Sequence, residues 1–163
     1  MKKLILLFST AILLVSTTMN CSTLISPKEA NVDIPATFSD KTTAFAFDFW
    51  KELHKAEDAN KNYFVSPLSL HVALGMLLNG ADGQTKSEIQ KVLKTNDLTL
   101  DETNKIYKEL MQNLPNVDKS VKNTIANSVW QEKTFPTEAA FITALKNNFS
   151  AQHFAEDFGD AAT

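Results

Sequence analysis

The chain has 163 residues, room for one domain, and a composition of 44% hydrophobic and 21% charged residues with only 4 glycines excludes a disordered, collagen-like or disulfide-stapled protein. A net charge of -3 supplies no general basic field, so a nucleic-acid partner is not expected. A chain of this length can bury a real core if its pieces belong together.

Lys2 and Lys3 give the chain a positive start, and Leu4 to Val15 form an apolar run interrupted only by Ser9 and Thr10. That run is about a dozen residues, short of the ~20 a helix needs to span a bilayer. Residues 1–20 are therefore read as a cleaved export signal and not as a permanent anchor. Cys21, the single cysteine, follows at once. It can close no internal disulfide, and oxidising compartments select against a free thiol. Its position resembles that of the lipidated cysteine of bacterial lipoproteins, although Asn20 stands where that motif prefers a small residue. Cys21 is a lipidation candidate, with an unmodified free thiol as the alternative. A lipid there would make a membrane surface a partner. Residues 21–38, with Pro27 and Pro35 and no apolar periodicity, read as a flexible tether.

From Ser39 the pattern is mainly helical. Phe45, Phe49 and Leu53, with Trp50 beside them, mark one apolar face, opposite Asp48, Lys51, Glu52 and Lys55. The helix is expected to fade at residues 57–60, and Tyr63-Phe64-Val65 to form a short buried strand. Ser66 then suits an N-cap and Pro67 the first helical position, where its missing N–H costs nothing. Leu68 to Leu78 is apolar on nearly every side, which predicts a helix buried all round. It is too short to enter a membrane.

Asn79-Gly80-Ala81-Asp82-Gly83 is a turn cluster. Thr85 with Glu88, and Thr99 with Glu102, have the spacing of capping boxes. The first opens a helix with Ile89, Val92 and Leu93 inside. The second opens one with Ile106, Leu110 and Leu114 inside, stopped by Pro115. Residues 121–131 read as a strand, Thr137 as the cap of a helix carrying Phe141, Leu145 and Phe149, and residues 152–158 as a last short strand. The strands lack tight hairpin turns, and too few partners exist to satisfy their backbones, so the pattern is an α+β fold with part of its sheet missing.

Two ordered blocks resemble the serpin family of protease inhibitors. Asn62-Tyr63-Phe64-Val65-Ser66-Pro67-Leu68-Ser69-Leu70 is similar to the family's Asn-x-Phe-x-Ser-Pro-x-Ser-(Ile/Leu) segment. Ala73-Leu74-Gly75-Met76-Leu77 and Gly80 to Thr85 continue it, with Gly75 where the family carries alanine. Asn127-Ser128-Val129-Trp130, Phe135-Pro136 and Ala155-Glu156-Asp157-Phe158 form the second block. The resemblance covers residues 40 to 160 and implies a serpin fold over 39–163, made of the N-terminal helices and the first strands of the central sheet, incomplete.

The resemblance further implies an inhibitor of serine-type or cysteine-type endopeptidases, with the target protease as its partner. Such a protein offers a bait loop that is cleaved and then inserts into the central sheet as a new strand. That loop lies near the carboxyl end of the family's chain, so the sequence is expected to stop before it, and none of its residues is a reactive centre. Alone it would not inhibit. The alternatives are a surface-tethered binding module without inhibition, or the remnant of a decayed gene. Ser66 and Ser69, with Asn62 nearby, match the region where the central sheet parts to admit the loop.

The remaining chemistry-bearing residues have ordinary explanations. Ser66 lacks a Gly-x-Ser-x-Gly elbow, and capping accounts for it, so no catalytic residue is assigned. His54, His71 and His153 are widely spaced and form no metal-ligand pattern, and no cofactor is implied. Glu156 and Asp157, as neighbours on a strand, point to opposite faces. Lys105, Lys108, Lys119 and Lys122 fall where some serpins bind polyanionic glycans, but interspersed Glu102, Glu109 and Asp118 make a solvated face the better reading.

Overall fold

The computed structural model describes residues 31–57 and 60–159. Residues 1–20, read above as an export signal, and Cys21 lie outside those residues. Within them the order is α1 (Ala36–Ala56), α2 (Pro67–Leu78), α3 (Gly83–Leu93), α4 (Leu100–Asn113), β1 (Asn127–Glu132), α5 (Ala139–Phe149) and β2 (Ala151–Glu156).

Helix α1 begins at Ala36, inside the stretch read as tether, because the Pro35 carbonyl accepts the first helical hydrogen bonds from Phe38 N–H (2.9 Å) and Ser39 N–H (3.2 Å). Phe38 and Phe45, two turns apart, are buried, and Val32 and Ile34 pack against the same core. Helix α2 starts as its sequence predicts. The Ser66 side chain accepts from Ser69 N–H, and Pro67 occupies the first turn. Helix α4 closes a full capping box: Thr99 Oγ1 accepts from Glu102 N–H at 3.2 Å, and Thr99 N–H donates to Glu102 Oε2 at 2.8 Å. Two donors otherwise left over at a helix start are thereby satisfied. Past α4, Leu114–Asn116 tighten into one 3-10 turn over Pro115.

Several elements depart from the sequence pattern. Tyr63-Phe64-Val65 pairs with no strand among the described residues, and Phe64 is fully exposed. The strand expected over 121–131 is regular only from Asn127, where β2 supplies hydrogen-bond partners. Thr85 does not cap α3, which starts earlier from Asp82, with Gly83 at a φ of +55° that favours glycine. Thr137 does not cap α5 either, since Glu138 is the N-cap residue and makes no side-chain cap bond. Val92 points outward, while Leu93 is completely buried at the end of α3.

The two strands run parallel, in register from Asn127 opposite Ala151 to Glu132 opposite Glu156, and α5 provides the crossover that parallel strands require. One face of the pair carries Val129 against the core. The other carries Trp130 stacked on its register partner Phe154, with ring centroids 4.4 Å apart. The core is a single cluster built by Phe38 of α1, Val72 and Met76 of α2, Ile106, Tyr107, Leu110 and Met111 of α4, Leu145 and Phe149 of α5, and Ala151 of β2. Helix α2 crosses its middle, yet only one side is covered. Leu78 is completely buried, whereas Leu77 is 57% exposed. The burial all round that its sequence predicts is reached on the inner face alone.

Candidate functional site

The head of α2 borders a cavity of about 360 Å³ between α2, the end of α4 and the approach to β1. Ser66, Ser69, Val72, Met111, Ile125 and Asn127 are among its walls. The two serines are brought together by helix geometry, because the N-cap residue and the third helical residue face each other across the first turn. Ser69 Oγ donates to Ser66 Oγ at 2.8 Å, and Ser69 N–H donates to the same oxygen at 3.2 Å. With its lone pairs occupied in this way, the Ser66 hydroxyl retains one proton to donate.

Asn127 is the residue of this site to which the sequence alone assigned no role. Its Nδ2 donates to the Phe149 carbonyl at 2.7 Å and to Met111 Sδ at 3.2 Å. The Phe149 carbonyl ends α5 and has no acceptor role left inside the helix, so Asn127 satisfies a group that would otherwise be orphaned. One amide thus ties the first residue of β1 to the end of α5 and to α4. The available signal was its place at the start of the Asn-Ser-Val-Trp segment. Asn62, by contrast, is exposed and is not among the residues lining the cavity.

Both hydrogen bonds to Ser66 Oγ come from Ser69, which is not a base. His71 is buried away with Tyr107, His153 Nε2 meets Gln131 Oε1 at 2.8 Å, and His54 Nδ1 lies 3.4 Å from the Tyr63 hydroxyl. Among the described residues, no group of three or more His, Cys, Asp or Glu side chains could hold a metal ion, and no helix is long and apolar enough to cross a membrane. Lys105, Lys108, Lys119 and Lys122 are exposed.

The helical frame, the parallel pair and the serine-lined cavity define a recognised class of fold. The model of the serpin (serine protease inhibitor) family matches residues 40–163, and the chain belongs to that family. Among curated relatives it is 33% identical to Ipis-1 of Ixodes persulcatus and 32% identical to Iris of Ixodes ricinus, each over 128 residues that make up 78% of this chain and 33% of the relative. The chain therefore spans about a third of the length of the relatives it matches. Human thyroxine-binding globulin complexed with thyroxine superposes with a TM-score of 0.69 at 27% identity, covering 77% of this chain and 34% of the globulin. Cleaved kallistatin complexed with heparin gives the same TM-score at 23% identity, covering 78% and 38%, a likeness of fold alone.

Proposed function

We propose that residues 39–163 form the amino-terminal frame of an exported serpin-type inhibitor of serine-type, or secondarily cysteine-type, endopeptidases. The observation that carries this reading is the Ser66–Ser69 pair, which lines one cavity with Asn127 at the start of β1. The resemblance of the sequence puts the opening of the central sheet here, and the remaining Ser66 proton suits an acceptor on a strand added beside β1. In this reading Ser66, Ser69 and Asn62 are structural residues of sheet opening, and the role is not enzymatic. The residues present act as frame, and the bait is supplied elsewhere in the inhibitor.

Export is proposed to proceed through residues 1–20, with residues 21–38 as the tether and a lipid on Cys21 holding the protein at a bacterial cell surface or in the periplasm. Release to the extracellular space is the form without lipid. The relatives named above come from Ixodes species, so the bacterial assignment rests on the signal segment and Cys21 alone.

The test is to read the source DNA past the Thr163 codon, express the whole frame, and incubate it with trypsin-like and chymotrypsin-like proteases. A complex that survives denaturing electrophoresis is the expected result. A frame that ends there, or a product that proteases cut without being trapped, overturns the inhibitor reading. The likeness to thyroxine-binding globulin favours a second reading, a binding module without inhibition. Cooperative folding of residues 22–163 alone, with no trapping by the whole frame, would support it.

A further inference from the structure

His71 is the only ionisable side chain of α2, and it is completely buried. Its ring is caged by three aromatic rings: Phe38 and Phe45 of α1, both edge-on at 5.7 and 4.9 Å, and Tyr107 of α4 at 5.7 Å. Tyr107 is itself completely buried, with its hydroxyl oxygen 2.9 Å from His71 Nδ1 and 3.1 Å from the His71 carbonyl oxygen. One proton arrangement serves both contacts. The Tyr107 hydroxyl donates to the carbonyl and accepts from Nδ1–H of a neutral imidazole. Nε2 then carries a lone pair and has no hydrogen-bond partner. An unused acceptor is a tolerable defect, whereas a proton there would put a charged ring in an apolar cage with only the Leu93 backbone to receive its second N–H.

We propose that the His71–Tyr107 pair is an acid-sensitive latch, which joins α2 to α1 and α4 while the ring is neutral and releases them when it takes up a proton. No charge stands ready to stabilise the imidazolium. From α1 the ring meets Phe38 and Phe45, from α4 Tyr107, and from the end of α3 the Leu93 backbone. The nearby surface charges pair with one another, Lys41 with Asp97 and Lys94 with Asp48, and Lys105 and Lys108 of α4 are exposed. Burial pushes His71 below its ordinary value of 6.5, opposed in part by the Leu93 backbone, while burial raises Tyr107 and keeps its hydroxyl protonated.

The sign follows from proton counting. The unfolded chain binds a proton on His71 near the ordinary value, and the folded chain does not. Stability from the neutral ring is therefore complete above about pH 6.5 and is lost as the pH falls toward the depressed folded value, up to tenfold in the folded-to-unfolded ratio per pH unit. The perturbed carboxylates Asp48, Asp97, Glu102, Asp118 and Glu132 are all held below their ordinary 3.8 or 4.5, so their losses are centred below about pH 5.5.

Urea unfolding of the full chain at pH 7.5, 6.5 and 5.5 tests the latch, with His71→Leu as the comparison. The folded-to-unfolded ratio of the parent chain is expected to fall by up to about tenfold between pH 7.5 and 5.5, about fivefold of it below pH 6.5, and that of His71→Leu less than about twofold. An equal fall in both chains overturns the proposal. Should His71→Leu fail to fold, histidine-labelled NMR of the parent chain decides. A His71 ring that stays neutral until the chain unfolds supports the latch, and a folded ring that protonates at or above pH 6.5 overturns it.

Discussion

Replacing Gly75 with alanine should weaken this chain, although alanine is the better helix former. An ideal Cβ at position 75 would lie 2.4 Å from Cε2 and Cζ of Tyr107 and 2.6 Å from its hydroxyl oxygen, about an ångström inside ordinary contact. The ring cannot move aside freely. It is completely buried, packs on Phe149 at 4.8 Å, and is held through its hydroxyl by His71. Overpacking of this kind costs about 1–3 kcal/mol, and the severity of the overlap favours the upper end. Displacing the hydroxyl adds about 1 kcal/mol for a lost buried hydrogen bond. Against this stands a helix-propensity gain of about 1 kcal/mol. The net expectation is a loss of about 2–3 kcal/mol, a large share of the 5–15 kcal/mol typical of a domain. Urea titration followed by far-ultraviolet circular dichroism reads it directly, as a lower midpoint at unchanged slope. In a double-mutant cycle, Tyr107→Leu should remove most of the penalty of Gly75→Ala, leaving a coupling of at least ~1 kcal/mol. A Gly75→Ala chain as stable as the parent, or more so, would refute the reasoning.

Removing the Thr99 cap by Thr99→Ala should cost about 1 kcal/mol in the same titration, because Glu102 N–H loses its acceptor and the Glu102 carboxylate loses the hydroxyl that helps to hold it over the start of α4. Glu102 is held below its ordinary 4.5 chiefly by hydrogen bonds from Thr99, so its contribution is present above that value and is lost as the pH falls. Glu102→Gln should flatten the acid limb of a pH–stability curve below about pH 4.5, and an unchanged limb would contradict the capping account. Asn127→Ala should cost about 1–3 kcal/mol, since the Phe149 carbonyl loses its donor, and hydrogen exchange should quicken at β1 and at the end of α5. Leu77→Gln should change the stability of this chain by less than about 0.5 kcal/mol, as for a surface position. A loss of several times that would mean the outer face of α2 is covered.

What the sequence revealed was local chemistry. The Ser66-Pro67 start of α2 and the Thr99–Glu102 box need only residues within one helical turn, and both form as their spacing predicts. Thr85 has the same spacing, but the turn cluster before it hands the chain to a helix two residues earlier, which leaves Thr85 inside α3. The strands were harder to bound, because a strand is regular only where a partner accepts its hydrogen bonds. Residues 121–126 have suitable side chains and no such partner among the described residues. At the candidate site the serine pair could be read from its spacing, whereas the bonds of Asn127 to Phe149 and Met111 depend on packing between distant segments. Tyr107 escaped notice for a related reason. The inner face of α4 includes Thr103 and Asn104, and Asn104 exchanges amide hydrogen bonds with Asn79 at 2.8 and 3.0 Å, so the buried arc is wider than its apolar residues suggest.

The parallel pairing of β1 and β2 also governs the order in which the chain can organise. Each rung joins residues separated by the whole of α5 and its flanking turns, so no hairpin can nucleate the pair. An eleven-residue helix runs about 16 Å and a six-residue strand about 20 Å, so α5 returns the chain along nearly the length of the strand it must re-enter. Until α5 is coiled, the start of β2 lies too far along an extended chain to find its register. During synthesis, the strand edge at Asn127–Glu132 therefore waits open while the next two dozen or so residues emerge at ~5–20 per second. For that interval of one to several seconds, the edge is available to any other extended segment within reach.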